Sequence, residues 1–61
     1  MPLTSMQLAE ESARATEMLL GKVVARVVRP KEGEVLVEFA DGTRLFIDRS
    51  ADGVELSITG A

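Results

Sequence analysis

The stretch EVLVEFADGTRLFID, from Glu34 to Asp48, decides how this chain is read. Branched and aromatic residues recur at a period of two on either side of an Asp-Gly pair, which is the pattern of two antiparallel strands joined by a tight turn. Loop length then determines which side chains share a face, because a slip of one residue moves every side chain to the other side of a strand. A two-residue loop pairs Phe39 with Arg44 and mixes charge into both faces. A three-residue loop of Ala40, Asp41 and Gly42, with Gly42 in the left-handed bulge position, pairs Phe39 with Thr43 and Glu38 with Arg44. The second choice gathers Val35, Val37, Phe39, Leu45 and Ile47 on one face, and we adopt it.

Working outward, residues 22–29 and 54–59 carry the same period and complete four strands with 34–39 and 43–49. Pro30 to Gly33 and Asp52-Gly53 supply the remaining turn signals. These connections are too short for crossover helices, so the sheet is expected to be an antiparallel meander in the order 1-2-3-4. If the last loop is two or four residues long, Val54, Leu56 and Ile58 join the apolar face.

From Thr4 to Leu20 the period is helical. Thr4 and Gln7 have the spacing of a capping box, Leu3 is placed to staple onto Leu8, and Gly21 can end the helix in a left-handed conformation. Leu8, Ala9, Ser12, Ala13, Ala15, Thr16, Leu19 and Leu20 fall on one arc, with Gln7, Glu10, Glu11, Arg14 and Glu17 opposite and Met18 an apolar exception among them. The fold class is therefore α+β, a single domain over residues 1–61 in which one N-terminal helix packs on one face of a four-stranded meander.

The opposite sheet face is expected to carry Glu34, Leu36, Glu38, Arg44, Phe46 and Asp48. If Ala25 lies beneath the helix, Val24, Arg26 and Val28 join it. Val24, Val28, Leu36 and Phe46 would make that face more apolar than solubility requires, with Arg26, Glu38 and Arg44 as a paired row beside them. These four apolar residues are the candidate oligomer or partner interface.

Composition points the same way. A chain of 61 residues buries only about 60% of the surface exposed on unfolding, so its stability is marginal without a staple. With no cysteine and no histidine, disulfides and the commonest zinc sites drop out, which leaves self-association as the favoured staple, a dimer first. Apolar residues at 46% and charged residues at 28% describe a folded globule and not a disordered chain. No apolar run approaches the roughly 20 residues of a membrane span, and the N-terminus lacks the pattern of a signal peptide, so the expected location is cytoplasmic.

The same inventory argues against catalysis. A serine nucleophile needs a base within hydrogen-bond reach, and this chain has no histidine to serve. Asp48 and Glu55 could stand opposite each other, but strand carboxylates without a pocket are better read as solvated charges. The aspartates Asp41, Asp48 and Asp52 lack calcium-loop spacing, and the glycines fall one per junction without forming a phosphate loop. No metal or cofactor is expected. The chain is expected to be no enzyme, and a self-associating binding or structural module, of the size that stand-alone domains of compact bacterial, phage or mobile-element genes have. The alternative is an inhibitor-like or nucleic-acid-associated regulator that uses Lys22, Arg26, Arg29 and Lys31, a basic strip on the first strand. That strip has no tyrosine or tryptophan for base stacking, and the net charge is −3, so nucleic acid is the weaker of the two partners.

Overall fold

A computed structural model describes residues 3–60, leaving Met1, Pro2 and Ala61 outside the described residues. One helix, α1 (Ser5–Leu19), precedes four strands, β1 (Val24–Lys31), β2 (Glu34–Phe39), β3 (Arg44–Ser50) and β4 (Gly53–Thr59). They form one antiparallel sheet in the order β1-β2-β3-β4.

The helix begins as its spacing predicts. The Thr4 hydroxyl accepts the backbone N–H of Gln7, and the Gln7 side-chain carbonyl accepts the backbone N–H of Thr4, so two otherwise orphaned donors are satisfied. It ends differently in detail. Leu20, at φ −56° and ψ 129°, precedes Gly21 at φ +78°, and the Lys22 N–H donates to the Leu19 carbonyl. This is a type II turn, which needs positive φ at its third residue and so selects glycine there.

The central hairpin has the expected three-residue loop. Glu38 pairs with Arg44, the Phe39 N–H donates to the Thr43 carbonyl, and the Gly42 N–H closes a turn onto Phe39. Gly42 sits at φ +93°, and the Thr43 N–H is held by the Asp41 carboxylate. The last hairpin closes on Ser50 and Gly53 around a two-residue loop, the shorter of the two lengths that bring Val54, Leu56 and Ile58 onto the Val35–Ile47 face.

The first strand departs from the reading. It was expected over residues 22–29 with a turn from Pro30, but it runs from Val24 to Lys31 and closes on Glu34 across Glu32 and Gly33. Pro30 lies inside it, at one of two irregularities in the pairing with β2, between Val28 and Lys31. A strand at the sheet edge, and a bulge in it, are the places where the ladder can spare an N–H. The other irregularity lies between Val24 and Arg26, where Ala25 is the extra residue.

Packing is thin. Phe39, 8% exposed, is the one buried hydrophobic residue among those described, and Thr43 is the one buried polar residue. Within α1 no residue is fully buried, and only the stripe Glu11, Ala15 and Leu19 is even half-buried. The molecule is a plate of 33 × 27 × 13 Å with a radius of gyration of 12.3 Å, against about 10.5 Å for a compact chain of this length.

A candidate self-association surface

Residues paired across an antiparallel ladder stand on the same face, so the registers assign every strand side chain to one of two surfaces. The face shared with the helix carries the rows Val27–Val37–Leu45–Ile58 and Val35–Ile47–Leu56, with Val24 beside Phe39 and Val54 beside Arg49. The opposite face carries Arg26–Glu38–Arg44–Thr59, then Val28–Leu36–Phe46–Ser57, then Lys31–Glu34–Asp48–Glu55.

Of the four residues read as an interface, Val28, Leu36 and Phe46 are thus brought together in one row, and Val24 is not. The extra residue at Ala25 turns Val24 over to the helix-bearing face, where it pairs with Phe39. A bulge of this kind leaves no mark in the hydrophobic period, because Val23, Val24 and Ala25 are apolar in any register. Val28, Leu36 and Phe46 are each half-buried, packed among neighbours in their own row.

The unexpected feature is the other face. Val24 (52% exposed), Val27 (62%), Val54 (60%) and Leu56 (38%) are the large apolar strand residues that stand most open to solvent, and all four lie on the helix-bearing side. Leu8 and Met18 of α1 and Leu20 and Val23 of the crossing segment are open as well. The helix lines two grooves with β4. One groove of about 580 Å³ runs between Leu3 and Glu11 on the helical side and Val54, Glu55 and Leu56 on β4. A second, of about 230 Å³, lies between Ala15 and Met18 and the Leu56–Ile58 pair. An acid, Glu11, therefore takes a place in the sheet-facing stripe, and much of the apolar arc, Ala9, Ser12, Ala13 and Thr16 included, stays exposed. The hydroxyls of Ser12 and Thr16 donate to the carbonyls of Leu8 and Ser12, so this arc asks for no polar partner.

Electrostatics belong to the opposite face. Glu38 accepts from the guanidinium groups of both Arg26 and Arg44, and these hydrogen bonds, Arg26 first, hold its carboxyl below the ordinary range. Glu34 is pushed up, chiefly by a hydrogen bond shared with Asp48 and then by burial. Asp41 is held well down by the Lys22 ammonium and by the N–H and hydroxyl of Thr43. The basic strip is consequently spent within the fold. Lys22 pairs with Asp41 and Arg26 with Glu38, Arg29 donates to the carbonyls of Glu32 and Glu34, and Lys31 stands opposite Glu34.

Among the described residues no cluster of three or more histidine, cysteine, aspartate or glutamate side chains is arranged to hold a metal ion. No helix among them is long and apolar enough to cross a membrane. No family model matches the sequence, and no curated protein or solved structure is significantly similar to it.

Proposed function

We propose that the chain is a small non-catalytic binding or structural module whose first partner is a second copy of itself. The observation that supports this is the unfinished core, in which only Phe39 among the described apolar residues is buried. The accessible surface is 4695 Å², whereas a folded monomer of 6.6 kDa is expected to expose about 3,900 Å². The excess, about 800 Å², is close to what each partner contributes to an interface of standard size. An isologous dimer, the commonest symmetric assembly, would remove it with one surface patch used twice.

The alternative, a regulator acting on nucleic acid through the first strand, has less behind it, since its cations are already engaged by Asp41, Glu38 and backbone carbonyls. The absence of cysteine fits a reducing compartment, and we place the protein in the cytoplasm as part of the same reading. Light scattering coupled to size exclusion tests the proposal. The chain is expected to elute at twice its own mass from micromolar concentrations upward. A single species of one chain mass, unchanged up to millimolar concentration, would contradict it.

A further inference from the structure

We propose that a second copy of this chain docks on the helix-bearing face of the sheet, and not on the Val28–Leu36–Phe46 row of the opposite face. This rests on the self-association reading and says where the contact lies. Three observations converge on it. The four most open apolar strand residues, Val24, Val27, Val54 and Leu56, share that face. The helix, which an α+β fold would use to cover such a face, lines two grooves with β4 and leaves Val24 and Val27 of β1 more than half exposed. The opposite face pairs Glu38 with both Arg26 and Arg44 and keeps its apolar row half-buried.

The occupant follows from area and symmetry. The surplus of about 800 Å² over the whole chain is of the size that one side of a standard interface buries, and the open residues Val24, Val27, Val54 and Leu56 can meet their own copies without complementary charge. The helix stands on the β4 flank of this face. A two-fold axis running along the strands seats each helix against the first strand of the other copy, where Val24 and Val27 lie open. The exposed arc of α1 suits that position, because Ala9 and Ala13 are small and the Ser12 and Thr16 hydroxyls are already bonded within the helix. Each helix is then sandwiched between its own β4 and the partner's β1, and the residue contacts are reciprocal as an isologous interface requires.

Single charges placed on the two faces separate the possibilities. Val27→Glu and Val54→Glu alter side chains that are 62% and 60% exposed in the monomer, so the isolated fold is expected to tolerate both. Ser57→Glu adds the same charge at an exposed position on the opposite face. Light scattering at a fixed concentration is expected to show Val27→Glu and Val54→Glu as monomers, each weakened at least tenfold in dimer affinity, with Ser57→Glu still dimeric. Circular dichroism on each variant identifies any that has lost its secondary structure; a Val27→Glu chain that unfolds is replaced by Val27→Ser, which carries no charge and is expected to weaken the dimer by a smaller factor. A dimeric wild type whose Val27 and Val54 variants stay dimeric while Ser57→Glu dissociates would overturn the placement and leave self-association standing. A wild type monomeric at every concentration would overturn both, and the face would then belong to a different protein.

Discussion

At the scale of single residues, Gly42 holds the turn of the central hairpin in a conformation that favours glycine. Its φ of +93° lies where any side chain is strained, and the turn it completes sets the register of β2 on β3. Gly42→Ala is therefore expected to destabilise the chain by about 1 kcal/mol or more, read as a lower urea midpoint with an unchanged slope. A midpoint within error of the wild type would show that the loop can adopt another geometry. This position was legible from Asp41-Gly42 together with the pattern on either side, because only the three-residue loop keeps charge off the Val35–Ile47 face. Ala25 was not legible. Its bulge arises from how β1 twists against β2, and no residue type at positions 23–25 records it. That one extra residue is why Val24 stands beside Phe39 and not beside Leu36.

Elements were read well where local chemistry sets them and less well where tertiary packing does. The capping box at Thr4 and Gln7 and the two-residue loop before Gly53 depend on a few neighbouring residues. The roll of α1 depends on the sheet beneath it, and Glu11 took a sheet-facing place that periodicity assigned to the wet side. Pro30, which the sequence predicts as the first residue of a turn, is absorbed into β1 because the strand lies at the edge. The charged rows that cross the strands lead to a pH prediction. Glu38 is held below its ordinary 4.5 by two arginines and Asp41 below its ordinary 3.8 by Lys22 and Thr43. Both contribute stability that is present above those ordinary values and lost as pH falls through the depressed ones. Glu34, raised above 4.5 by Asp48, works in the other sense, its contribution being complete below 4.5 and lost as pH rises through the raised value. The urea midpoint is expected to rise a little as pH falls toward 4.5 and then to drop. Glu34→Gln should remove the rise, and Glu38→Gln should make the drop shallower. Identical profiles in wild type and both variants would show that these rows do not hold the strands.

For the whole molecule, composition predicts a marginal domain in want of a partner, and the strand registers put the most open apolar strand residues on the helix-bearing face. A chain this short with no cysteine or histidine has few ways to finish a core, and the plate, 13 Å at its thinnest, keeps Val24, Val27, Val54 and Leu56 open on one face. In the self-association we propose, assembly supplies part of the folding free energy, so stability and protein concentration are linked. The measurement that tests this most directly is the urea unfolding midpoint of the wild-type chain across a hundredfold range of concentration. If a second copy completes the core, the midpoint climbs with concentration by the equivalent of about 2.7 kcal/mol per dimer over that range, as mass action requires. A midpoint that stays constant over the same range would mean that the lone chain holds its own fold, and that its open apolar face serves something other than a copy of itself.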